Sequence, residues 1–154
     1  MQWRNVVASM ALLTVFVTES FAADRFTCAE YFAATPAGQK KAEAGIKGTL
    51  VFDADTKKVV FLDSKGTAAL SVGYDAIQGM QYEKTSQPRY VAAVLISPAF
   101  LLTHSRKHYL TIGYKDASGE AHSAIVRLNK GNARQAVATA GTQTGKSVEQ
   151  IEPK

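Results

Sequence analysis

From residue 46 onward the chain alternates. Gly48, Leu50 and Phe52 fall on one side of an extended segment, and Thr49, Val51 and Asp53 fall on the other. That period of two is what a strand with one buried face requires. Residues 53–56 (Asp53, Ala54, Asp55, Thr56) have turn composition, because short polar side chains hydrogen-bond their own backbone. A return strand rich in Val and Phe is predicted over 58–62, followed by a second turn over 63–66. Leu70, Val72 and Tyr74 alternate again. After a brief interruption at 75–78, Met80, Tyr82 and Lys84 oppose Gln81 and Glu83. Strands at intervals of roughly ten residues with polar turns between them predict an antiparallel sandwich or barrel.

The clearest strand runs over 108–115, with Leu110, Ile112 and Tyr114 on one face and Thr111 and Gly113 on the other. A hairpin turn at 116–119 leads into 121–128. There Ala124, Val126 and Leu128 oppose Ser123, Ile125 and Arg127. Asn129 or Asn132 can cap a final helix that continues to about Ala140. Its apolar face is Ala133, Val137 and Ala140, with Ala136 alongside. That face is thin, so the helix needs a β-surface to pack on. Residues 141–154 read as a flexible tail.

Two segments break the alternation. Residues 23–45 hold Phe26, Tyr31 and Phe32, and Phe26, Ala29 and Ala33 have approximate helical spacing before Pro36 and Gly38 intervene. The expectation is a partly disordered lead-in with at most one short helix. Between Lys84 and His108 lies an apolar tract at 91–102, divided by Pro98. Ser97 followed by Pro98 is a helix-start order, cap then first helical position, giving a short helix to about Thr103 or two turns. Arg89 and Tyr90 precede the tract, and His104, Arg106, Lys107 and His108 follow it.

The N-terminal residues change the picture of where the domain begins. Arg4 precedes an apolar run of about twelve residues at 6–17, the length of a signal-peptide core and short of the ~20 needed to span a bilayer. Ser20 and Ala22 then supply the small residues of a cleavage site. The chain therefore divides into a signal peptide at 1–22, the lead-in at 23–45, a β-domain at 46–140 and the tail at 141–154. Export to the periplasm or the outside of the cell is expected. The hydrophobic content of 46% and charged content of 20% are those of a globular domain, and the net charge of +5 favours anionic partners without distinguishing among them. Cys28 has no second cysteine to pair with, and no lipoprotein-type small residues precede it. Its residue type favours a small buried position, with an exposed thiol or an intermolecular link as the alternatives.

Meandering strands, a connection, a further hairpin and one C-terminal helix together resemble the pleckstrin-homology-like domains and their exported bacterial relatives. The residues that carry the likeness are the strand of Gly48, Leu50 and Phe52, the 72–82 stretch with its step at Tyr74, Asp75, Ala76 and Ile77, and the 109–128 hairpin before the helix. The resemblance covers about residues 46–140. It implies a mainly β fold, a bent antiparallel barrel of about seven strands capped by a C-terminal helix, with binding in place of catalysis. Relatives of that kind hold phosphoinositides through basic residues in the first hairpin loop. Here that loop holds Asp53 and Asp55 beside Lys57 and Lys58, so its acidic half departs from the pattern.

Several motifs invite chemistry and then withhold it. Residues 140–147 fit a permissive phosphate-loop pattern ending in Gly145, Lys146 and Ser147, but such a loop needs a strand before it and a helix after it. Asp53 and Asp55 begin like a calcium loop, yet Lys57 and Lys58 stand where further oxygen ligands belong. His104 and His108 have a helical metal spacing, with His122 on the expected partner strand, but no cysteine or carboxylate is close in sequence. No serine has a nucleophile-elbow context. Neither nucleotide nor nucleic-acid binding is supported, because basic residues and aromatics do not build a continuous face. The sequence points to no cofactor and no metal ion.

These observations lead to an exported, non-enzymatic binding or scaffolding domain at the cell envelope. Its candidate contact residues are Arg89, Tyr90, Leu95, Leu101, His104, Arg106, Lys107 and His108. An apolar element flanked by basic and aromatic residues suits an anionic membrane surface or another envelope protein. The alternatives are a small secreted hydrolase and a structural domain that associates with itself.

Overall fold

The structure is a computed structural model that describes residues 23–33, 45–85 and 106–151. Strands β1 (Asp24–Ala33), β2 (Ile46–Asp53), β3 (Lys58–Asp63), β4 (Ala68–Gly73), β5 (Ile77–Thr85), β6 (Lys107–Lys115), β7 (Ala121–Leu128) and β8 (Val148–Ile151) form one sheet. Helix α1 (Ala133–Thr144) lies between β7 and β8 in the chain. The strand order is β4-β3-β2-β1-β7-β6-β5-β8, antiparallel throughout except for the parallel β5–β8 pair.

The connection from β4 to β5 forces the sheet to bend. Only the 3-10 turn Tyr74–Ala76 joins them, although six strand intervals separate them in the sheet. Flat strands at ~4.8 Å spacing would put them about 29 Å apart, whereas four peptide steps from Gly73 to Ile77 reach at most about 15 Å. The sheet must curl around its core face, and Leu70 and Val72 of β4 accordingly share one apolar cluster with Ile77 and Met80 of β5. The expected barrel does not close, however. No ladder joins the β4 edge to β5 or β8, so the architecture is an open, bent sheet with a helix.

The core is set by the alternating positions. Leu50, Phe52, Val59, Phe61, Leu110, Ile112, Ala124 and Val126 line the concave face with almost no exposure. Phe26 meets Phe52 edge to face at 6.0 Å, and Tyr31 lies 5.5 Å from Phe61. Gly48 is required where β2 crosses β3, since a Cβ there would lie 1.9 Å from the carbonyl oxygen of Leu62. Helix α1 packs on this face through Ala133, Ala136 and Ala140, with Val137 at its margin. Their small side chains let the helix approach the sheet closely. Asn132 stands at the N-cap, but its side chain donates to Thr27 O at 3.2 Å, which ties the helix start to β1. A second, smaller cluster of Phe32, Tyr109 and Ile125 occupies the opposite face.

Two terminal expectations are corrected. The lead-in contains β1, a strand placed in the middle of the sheet between β2 and β7. Its helical-looking spacing comes from a bulge. The register shifts between Phe26 and Ala29, and Cys28 adopts φ 57°, so that Phe26, Ala29 and Tyr31 all reach the core. Cys28 itself is pushed out by this bulge and is exposed, contrary to the buried position its residue type favours. The described part of the tail, residues 141–151, is also ordered. Helix α1 continues to Thr144, Gly145 ends it in the left-handed region at φ 66°, and β8 then pairs with β5. The expected signal peptide at 1–22, residues 34–44 and the apolar tract at 91–102 lie outside the described residues. Among the described residues no helix is long and apolar enough to cross a membrane.

Candidate functional site

Strand alternation splits the basic cluster that the sequence presents as one feature. His108 lies opposite Lys84 and next to the core-facing Leu110 and Ile112, so it points to the helix side of the sheet. Lys107 lies opposite Thr85 and has the parity of Tyr109, which belongs to the other face. Arg106 is exposed just before β6. Of the eight candidate residues, Arg89, Tyr90, Leu95, Leu101 and His104 lie outside the described residues, and His108 lines a cleft.

That cleft has a volume of about 600 Å3. Tyr82 and Lys84 of β5 and His108 of β6 form one wall, and Ala133, Arg134, Val137 and Ala138 of α1 form the other. Lys130, from the loop before the helix, and Gln150 of β8 complete it. Lys84, Lys130 and Arg134 supply three positive charges, and among the described residues no carboxylate lines the space. The ion pairs between described residues, His122–Asp116 and Arg127–Glu30, involve none of these three. The first turn of α1 adds the positive end of its helix dipole.

Within the cleft the Tyr82 hydroxyl lies 2.6 Å from Nδ1 of His108, and the two rings stack at 6.0 Å between centroids. Burial holds the Tyr82 phenol above its ordinary value, against the opposing charge of Arg134. Burial lowers His108, and the charges of Lys84 and Lys130 lower it further. Near neutral pH the contact joins a protonated phenol to an uncharged imidazole; in the tautomer with the ring proton on Nε2, the phenol donates to Nδ1. Three cations and an imidazole held uncharged by burial, with Lys84 and Lys130 adding to the effect, form a site short of negative charge.

The other candidate chemistries resolve into structure. Asp53 Oδ1 accepts from the backbone N–H groups of Asp55 and Thr56, each at 3.0 Å, so the calcium-like start is a capped turn. The phosphate-loop pattern is the last turn of α1. It follows a helix where a strand is needed, and Thr144 Oγ1 donates back to Ala140 O at 2.5 Å. His108 and His122 do not converge. They pair with Leu128 and Tyr114, six residue steps apart along the hairpin, or about 20 Å. His122 stacks instead on Tyr114 and sits 2.8 Å from Asp116 Oδ2, with Glu120 close enough to complete a cation-sized trio. Asp116 Oδ1 is committed to the turn, accepting from Ser118 N, Ser118 Oγ and Glu120 N. These hydrogen bonds, first that of the Ser118 hydroxyl and then that of His122, hold the Asp116 carboxyl far below its ordinary range. Asp116 and Glu120 are exposed and His122 is half-buried, and the trio is accounted for by the hairpin it closes.

Sequence reasoning missed Tyr82, Lys84, Lys130, Arg134 and Gln150. A partial signal was present, because Tyr82 and Lys84 alternate with Met80 and so share its face. The approach of Lys130 and Arg134 depends on where the helix packs, which spacing does not encode. Compared with protein-family models and with curated proteins, the chain matches none.

Proposed function

We propose that the protein is a non-enzymatic binding domain that takes an anionic ligand in the cleft between β5, β6, α1 and β8. One observation carries this reading. Lys84, Lys130 and Arg134 face a common space of about 600 Å3, and among the described residues no carboxylate lines it to neutralise them. Uncompensated like charges around a cavity cost free energy in the empty protein, and a bound anion recovers it. The apolar wall of Ala133, Val137 and Ala138 leaves room for an uncharged body behind the charged group. The export expected from residues 1–22 would place this domain at the cell envelope. The order of seven strands, β1 to β7, followed by the helix supports a pleckstrin-homology-like reading of the fold, with β8 as an addition to that plan.

The reading is tested by titrating the full chain with inorganic phosphate by calorimetry at low and high salt. Binding is expected to weaken with salt, and Lys130→Gln with Arg134→Gln is expected to weaken it at least tenfold while the circular dichroism stays native. Unchanged affinity in that folded double variant would refute the cleft as the site.

A further inference from the structure

Resting on that reading, we infer that the cleft selects a dianion over a monoanion, and that its ligand class is the phosphate monoester. A carboxylate entering among Lys84, Lys130 and Arg134 leaves two of the three positive charges uncompensated, whereas a phosphate monoester leaves one. A phosphate monoester has its second ionisation near 6, so it is doubly charged above neutral pH. Its three terminal oxygens also match the donor geometry better than two carboxylate oxygens. The guanidinium of Arg134 can hold two of them side by side, and the lysines act as mobile point charges from the other sides.

The Tyr82–His108 pair makes the selection responsive. Among the described residues that line this cleft, the charged and titratable groups beside His108 are Tyr82 and Lys84 from β5, Lys130 from the loop, and Arg134 from α1, while Lys107 of β6 lies on the other face. The β7 partner of His108 is the apolar Leu128, and β8 contributes the neutral Gln150. In the empty site the cations oppose a proton on the imidazole. A dianion cancels most of that field, so ligand binding raises the proton affinity of His108 and shifts it toward the protonated form. Nδ1 then becomes a donor to the Tyr82 oxygen across the existing 2.6 Å contact, and the phenolic proton is released to donate elsewhere in the cleft. A monoanion cancels less of the field and shifts the proton less.

The experiment compares sn-glycerol 3-phosphate with glycerate, which present the same carbon scaffold with a dianionic or monoanionic head, on the full chain at pH 7.5. Glycerol 3-phosphate is expected to bind at least tenfold more tightly and to raise the His108 titration midpoint by more than glycerate does. Lys84→Gln with Lys130→Gln is expected to erase most of that preference. A parallel arm uses phosphatidylcholine vesicles with and without phosphatidic acid, which carries the same monoester on a lipid. Flotation with phosphatidic acid in the absence of soluble binding assigns the ligand to a membrane headgroup and still supports the dianion. Equal affinity for glycerol 3-phosphate and glycerate overturns this inference while leaving an anion site. Absence of binding in every arm overturns both readings.

Discussion

Tyr82 and His108 stand diagonally across the β5–β6 ladder, with the phenolic oxygen 2.6 Å from Nδ1 and the ring planes 24° apart. The pairing follows from the alternation of two strands, since Lys84 opposes His108 and Tyr82 opposes Leu110. It places an uncharged donor–acceptor pair among three cations, so the protonation of His108 reports directly on the charge in the cleft.

The two lysines named above hold that histidine below its ordinary value near 6.5, behind burial as the largest cause. Lys84→Gln and Lys130→Gln are each expected to raise the His108 titration midpoint, and the double variant to raise it further. The midpoint should stay below 6.5 even then, because burial remains. Imidazole NMR titration of the ligand-free chain reads this, and an unmoved midpoint in the double variant would contradict the electrostatic picture.

The same depression has a consequence for stability. The unfolded chain protonates His108 near 6.5, whereas the folded chain does so only at lower pH. Between those values the unfolded state binds more protons, so stability rises with pH through that window and is fully present above 6.5. It is lost progressively as pH falls toward the folded value. Urea midpoints between pH 5 and 8 should show this slope in the wild type. Subtracting the curve of His108→Gln should isolate it, and identical slopes in the two proteins would refute it.

The central position of β1 is tested in the core. Phe26 is 3% exposed and lies edge to face with Phe52. Phe26→Ala is expected to cost about 3–5 kcal/mol, the usual cost of removing a buried phenyl ring. A denaturation midpoint close to that of wild type would mean that β1 is an accessory.

Much of the fold was legible because alternation is a local signal. The strands from β2 to β7 fall where period two places them, and α1 begins at the residue one candidate cap marks. What escaped has identifiable causes. Cys28 adds a residue at the β1 bulge, which converts a strand pattern into a helix-like spacing around Phe26 and Ala29. The four residues of β8 carry little hydrophobic pattern and depend on pairing with β5 for their existence. Barrel closure depends on edge pairing between β4 and the far side of the sheet, a relationship no local pattern records. The site was legible only through His108. The adjacent Lys107 looked equivalent in sequence, and the pleat sends it to the other face. Lys130 and Arg134 reach the cleft only because three alanines let α1 settle closely on the sheet.

The most direct measurement is chemical-shift mapping of the full chain during titration with inorganic phosphate at pH 7.5. Anion binding in the cleft requires the largest saturable changes at Tyr82, Lys84, His108, Lys130, Arg134 and Gln150. Saturable changes centred instead on the 53–58 or 116–122 turns, or no saturable change at all, would contradict it.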